Sequence, residues 1–136
     1  MSWRLALASV LMLGCSGGAK PAITDRDWAL IALGEKSDPI GSGERPVTLR
    51  LESSTSRASG FAGCNHYSGP YELGSGKLSF GPTVSTKMFC ESSQAVEDAY
   101  LAALGKVSSW ELANGGLTLR GVDGSALRFR PAAPSP

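Results

Sequence analysis

A chain of 136 residues has room for one ordinary domain and not for two. Thirteen Lys and Arg against twelve Asp and Glu leave a formal charge of +1, which excludes the clustered cationic surface that nucleic-acid binding requires. Seventeen glycines and eight prolines exclude a long helical bundle and point to a fold with many turns.

The first fourteen residues stand apart from the rest. Arg4 gives a short positive region, and Leu5–Leu13 is a nearly continuous apolar run. That run is too short to cross about 30 Å of hydrocarbon as a helix, and it fits the core of a secretion signal. It ends in Leu11-Met12-Leu13-Gly14-Cys15, which resembles a bacterial lipobox. The resemblance implies cleavage before Cys15 and lipidation of that cysteine, so the membrane is an expected partner through the anchor. Ordinary secretion with a free Cys15 is the alternative. Ser16 directly after the cysteine resembles lipoproteins carried on to the outer membrane, where the domain would face the periplasm. Without residues 1–14 the chain keeps twelve basic and twelve acidic residues and is formally neutral. Ser16–Thr24 reads as a flexible tether, Asp25–Arg130 as the domain, and residues 131–136 as a disordered Pro-rich tail.

The domain is mostly strand. Trp28–Leu33 is an apolar stretch of strand length, followed by a Gly/Pro-punctuated loop over Gly34–Pro46. In Val47–Glu52 apolar and polar residues alternate strictly, with Val47, Leu49 and Leu51 on one face. Ser53–Ser56 reads as a turn and Arg57–Gly63 as a short strand whose small residues Ala58, Gly60 and Ala62 mark a crowded or curved place. Tyr71–Leu73 and Lys77–Phe80 flank a turn at Gly74-Ser75-Gly76. Val96, Ala99, Tyr100, Ala103 and Leu104 recur at helical spacing, with Glu97 and Asp98 off that stripe. Ser92 or Ser93 would cap this helix and Gly105 would end it. Val107–Leu112, Leu117–Arg120 and Ala126–Arg130 are strands again, joined by turns at Asn114-Gly115-Gly116 and at Asp123-Gly124, the latter read as a two-residue hairpin.

Seven or eight antiparallel strands and one helix must bury an apolar face. The expected fold class is therefore mainly β, a small antiparallel barrel-like domain plugged or covered by one α-helix. An open sheet with the helix across one face is the alternative.

Chemistry is scarce in this sequence. Cys64 and Cys90 are an even pair that follows the signal, and in an oxidising compartment they are expected to form one disulfide, two buried free thiols being the alternative. His66 is the only histidine, too little for a metal site that needs three or four protein ligands. Cys64 and His66 are spaced as a nucleophile and base on one strand face would be, but a disulfide-bonded sulfur cannot attack. Asn65 is expected to fix a local turn before Gly69-Pro70 through left-handed backbone geometry or bonds to nearby amides. Tyr67, Tyr71, Trp28 and Trp110 are read as core packing. No catalytic, metal or cofactor-binding residue follows from these patterns.

Gly60-Phe61-Ala62-Gly63-Cys64-Asn65-His66-Tyr67-Ser68-Gly69-Pro70-Tyr71 resembles the central motif of the META/HslJ-like domain family, with Gly63, Asn65, Tyr67, Gly69 and Tyr71 as its structural positions. Trp28-Ala29-Leu30 resembles the family's opening segment. Leu78-Ser79-Phe80 and Thr86-Lys87-Met88-Phe89-Cys90 resemble its middle, although Phe89 stands where the family usually has a small residue. Glu97, Tyr100 and Leu104 resemble its helix, and Leu117–Leu119 and Leu127–Phe129 its last strands. The likeness implies a small barrel with a helix, found in bacterial envelope lipoproteins and periplasmic proteins, some linked to heat shock, novobiocin resistance or virulence, and no established catalysis. The expected function is a non-enzymatic envelope lipoprotein, monomeric, supporting envelope integrity or stress tolerance. A binding module for a small apolar ligand or an envelope protein is the alternative, and an inhibitor or chaperone-like accessory and an enzyme are weaker readings.

Overall fold

The computed structural model describes residues 22–35, 41–42 and 45–132. The signal, Cys15, most of the expected tether and the tail from residue 133 lie outside the described residues. The elements in chain order are β1 Asp27–Leu33, β2 Gly41–Ser42, β3 Arg45–Pro46, β4 Thr48–Glu52, β5 Arg57–Phe61, β6 His66–Gly74, β7 Lys77–Phe80, β8 Val84–Ser85, α1 Gln94–Leu104, β9 Val107–Ala113, β10 Gly116–Gly121 and β11 Ala126–Pro131.

Neighbouring strands run β5-β4-β1-β11-β10-β9-β7-β6, and β6 pairs back onto β5. This closes an eight-stranded antiparallel barrel, with β8 added outside the ring on the first half of β6. Closure leaves the ring no unpaired edge. Alternation decides which side chains face inward. Leu49 and Leu51 of β4, Leu117 and Leu119 of β10, and Leu127 and Phe129 of β11 are buried, while the residues between them reach the outer surface. Each fully buried Leu or Phe contributes about 1.5–3 kcal/mol, so the interior is the main source of stability. The weakest seam is β7–β9, where only Lys77 and Ser109 pair. Trp110 bridges it, its backbone N–H donating to Gly76 at 3.2 Å and its indole N–H to the Gly74 carbonyl at 3.1 Å.

The barrel is stoppered at both ends. Helix α1 closes one end with Tyr100 and Leu104, both without exposed surface. The opposite end carries the turns 53–56, 75–76 and 114–115 together with both ends of the described chain. Ile23 fills it, 2% exposed, and its carbonyl accepts the indole N–H of buried Trp28 at 3.0 Å. The expected start of the domain at Asp25 is therefore too late, because a residue assigned to the tether belongs to the core. The expected end is also too early. β11 reaches Pro131, opposite Trp28, and the Ala132 N–H donates to the Asp27 carbonyl at 2.9 Å.

Three other expectations change. The segment from His66 through Gly69-Pro70 is not a turn, since it forms one nine-residue strand with Tyr71–Gly74. Pro70 is tolerated because β6 changes partner there. The Tyr71 N–H points to Ser56 on the β5 side, so the missing N–H of Pro70 faces the gap between β8 and β7. The hairpin at Asp123-Gly124 forms, but its loop is three residues, Val122 to Gly124, closed by Gly121 N–H to the Ser125 carbonyl at 2.8 Å. Gly124 takes the left-handed position at φ 86°, as a three-residue loop requires. Strand β5 stops at Phe61, short of the expected Gly63. The turn at Asn114-Gly115 has φ of 52° and 78°, the primed geometry of a two-residue hairpin.

Gly60 marks the crowded place read from the small residues of β5. A Cβ there would fall on the Thr48 carbonyl oxygen, which is turned inward to accept the Tyr67 hydroxyl at 2.8 Å. Gly60→Ala is expected to destabilise the domain by on the order of 3 kcal/mol through overpacking, seen as a lower urea midpoint with an unchanged slope.

Candidate functional site

The densest polar chemistry lies at the helix-bearing end, around the turn between β5 and β6. Gly63 takes φ 125°, a conformation that side chains rarely adopt, and Ala62 N–H donates to the Asn65 carbonyl at 2.8 Å. This geometry turns two consecutive backbone N–H groups inward. Both meet one carboxylate oxygen, with Cys64 N–H at 3.0 Å and Asn65 N–H at 2.7 Å from Glu97 Oε1. Asn65 Nδ2 donates to Glu97 Oε2 at 2.8 Å. Glu97 is only 3% exposed. Burial pushes its carboxyl pKa up, but the bonds from the Asn65 side chain, Asn65 backbone and Cys64 backbone outweigh that and hold it below the usual glutamate value.

Asn65 is 2% exposed, and its side chain reaches a third segment. Nδ2 also donates to the Met88 carbonyl at 3.0 Å, and Oδ1 accepts Met88 N–H at 2.9 Å and Thr86 Oγ1–H at 2.8 Å. All four hydrogen-bonding valences of the amide are thus used. The expected local, left-handed role of Asn65 is not what the structure has. The left-handed residue is Gly63, and the asparagine clamps segments more than twenty residues away in sequence.

Cys64 and Cys90 are joined by a disulfide, with Cα atoms 5.7 Å apart and a sequence separation of 26. The Cys90 carbonyl accepts the N–H groups of Ser93 and Gln94 at 3.2 and 2.9 Å, so the bond ties the turn to the first residues of the helix. Ser93 holds the N-cap position without a side-chain cap bond. Glu97, placed off the apolar stripe by periodicity, is on the inner face with Tyr100 and Leu104, and Ala99 is exposed instead. Only the family likeness of the helix signalled Glu97.

The barrel interior continues this network. Tyr67 O–H donates to Thr48, so the 2.7 Å contact between the two phenols has Tyr100 as donor and Tyr67 as acceptor. Burial raises both phenol pKa values. Tyr71 O–H donates to the Glu52 carbonyl at 3.0 Å. Trp28 is core as expected, whereas Trp110 is only half-buried at the seam it bridges. His66 lies on the outer surface, edge-on to Phe61 at 5.6 Å, away from the buried Cys64 sulfur. Among the described residues no group of three or more His, Cys, Asp or Glu side chains is placed to hold a metal. A groove of about 680 Å³ on the outer wall is lined by Asp27, Arg45, Arg50, Phe61, His66 and Arg130 among others. Much of its charge is engaged within the protein, Arg50 with Glu52 and with Asp27 at 3.5 Å, and Arg45 over the Phe61 ring at 3.9 Å.

A closed eight-stranded barrel, stoppered by one helix and locked there by a buried carboxylate and a disulfide, defines a class of small single-domain β proteins. The chain belongs to the META domain family, whose profile matches residues 21–134. It is similar to a protein from Burkholderia xenovorans solved by NMR, at 29% identity and a TM-score of 0.68 over 98% of this chain and all of that one. A second NMR structure matches at 21% identity and a TM-score of 0.62 over 79% of this chain and 90% of the other. A crystal structure of a DUF4847-family protein from Bacteroides vulgatus shares the fold at 9% identity and a TM-score of 0.60, over 87% of this chain and all of that one. No curated protein matches the chain.

Glu97→Gln replaces the charged acceptor with a neutral amide whose N–H₂ faces donors, at an expected cost of about 3 kcal/mol in denaturant unfolding. Because the folded pKa lies below the ordinary glutamate value of 4.5, the carboxylate's contribution is complete above that pH and is lost as pH falls through the folded value. The stability gap between wild type and Glu97→Gln should therefore shrink on acidification below pH 4.5, measured by urea melts across pH. Reduction of the disulfide is expected to cost roughly 3.5 kcal/mol from loop entropy, read as a lowered Tm with two newly alkylatable thiols.

Proposed function

We propose that the protein is a non-enzymatic cell-envelope lipoprotein, anchored through Cys15 at the periplasmic face of the outer membrane, whose barrel is a rigid scaffold supporting envelope integrity under stress. The observation that carries this reading is the apolar run Leu5–Leu13 leading into Leu13-Gly14-Cys15. The geometry agrees with a scaffold. Glu97, Asn65, Tyr67, Tyr71 and Tyr100 each spend their polar atoms on other parts of the chain. The barrel interior is filled by Trp28, Phe129, Tyr67, Tyr100 and leucines, which argues against a small apolar ligand held inside.

A specific observation favours recognition of an envelope protein partner as a second reading. Val84, Met88 and Phe89 are 64%, 62% and 74% exposed. The backbone beneath them is fixed by Asn65 and by the Cys90 disulfide, so the apolar surface is presented rigidly.

Cys15→Ala is expected to abolish lipid attachment and release the exported protein from carbonate-washed membranes. If the variant stays with the membrane, the anchor reading is wrong. A deletion strain should lose tolerance to heat, detergent or antibiotic, and growth equal to the parent under all three would count against the scaffold role.

A further inference from the structure

We infer that the barrel end carrying both chain ends rests on the bilayer, with Leu73, Trp110 and Leu112 meeting the lipid interface. This deepens the lipoprotein reading and rests on it. The chain enters the described structure at Ala22, and Ala22, Ile23 and Thr24 run beside Leu73 and Trp110 to line a shallow groove of about 450 Å³. Cys15 lies seven residues before Ala22. Seven residues reach about 25 Å at full extension, so a lipid on Cys15 holds this end close to the headgroups.

The rim suits that position. Ile23 plugs the bore, and around it Leu73 is 40% exposed while Trp110 and Leu112 are partly buried against the core with an edge left at the surface. Trp110 has its indole N–H bonded to the Gly74 carbonyl and its ring beside the groove, an apolar body with a polar handle, as side chains at membrane interfaces have. Around this rim Asp25, Glu52 and Glu72 are matched in number by Arg26, Arg57 and Lys77, so it presents no excess of negative charge to anionic headgroups. The opposite end carries Phe89 and Met88. The nine residues of β6 span about 30 Å along the strand, or roughly 23 Å of barrel height at the usual tilt. Setting that end on the same bilayer would require the tether to lie fully stretched along the wall, at a high cost in chain entropy.

The test uses the lipidated mature protein in vesicles of phosphatidylethanolamine and phosphatidylglycerol whose acyl chains are dibrominated, with unbrominated vesicles as reference. The mature chain has two tryptophans, Trp28 with no exposed surface and Trp110. Loss of Trp110 emission in brominated vesicles is expected, and Trp110→Phe should remove that loss. In a Trp110→Phe, Phe89→Trp double variant the indole moves to the far end and should stay unquenched. A protein that floats with the vesicles but shows no quenching of Trp110, or quenching only in the double variant, overturns the orientation and leaves the anchor intact. A protein that does not float with the vesicles overturns the anchor and the orientation together.

Discussion

The helix-bearing end of this domain depends on one buried carboxylate. A tight turn between two paired strands leaves backbone N–H groups with no ladder partner, and when such a turn is covered by a helix, water cannot satisfy them. Glu97 solves this from the helix side, accepting Cys64 and Asn65 N–H on one oxygen and the Asn65 amide on the other. A buried charge is tolerated only when its hydrogen bonds offset desolvation, and here they lower the carboxyl pKa in spite of burial. The same residue therefore satisfies the turn, fixes the rotation of the helix and places Asn65 where it can hold Thr86 and Met88.

The consequence extends along the segment between β7 and the helix. Apart from the two residues of β8, residues 81–93 have no sheet pairing. They are held instead by Asn65, by Thr86 N–H to the His66 carbonyl at 3.3 Å, and by the disulfide. That fixed backbone is what allows Met88 and Phe89 to project into solvent without the segment collapsing onto the barrel.

Much of this was legible in the sequence because strand alternation is a local property. Val47–Glu52, Leu117–Arg120 and Ala126–Arg130 each declare an inner face, and closing the sheet follows from the need to cover it. The errors fall where long-range contacts override local pattern. Glu97 looked like a solvent-facing residue because a carboxylate is normally outside, and nothing within its helix reveals the two N–H groups waiting across the barrel mouth. Asn65 has the local signature of a turn former, while its partners Thr86, Met88 and Glu97 lie more than twenty residues away. Ile23 lies in a stretch without periodicity, and only the open bore of the barrel explains its burial. Pro70 sits within a strand because β6 changes partner on one edge there, which cannot be seen from one strand alone.

The two stoppers are built on opposite principles, and this gives the barrel a direction. The helix end is closed by a network of charge-assisted hydrogen bonds and a covalent link, each specific in geometry. The other end is closed by a single apolar side chain, with a carbonyl-to-indole bond behind it and exposed Leu73 and partly buried Trp110 and Leu112 around it. A polar network needs no external partner to remain satisfied, whereas a partly exposed apolar rim gains free energy whenever a neighbouring phase removes it from water. The end where the chain enters thus brings its apolar rim to whatever surface the tether holds it against, while the end locked by Glu97 displays Val84, Met88 and Phe89 to solvent on a fixed backbone.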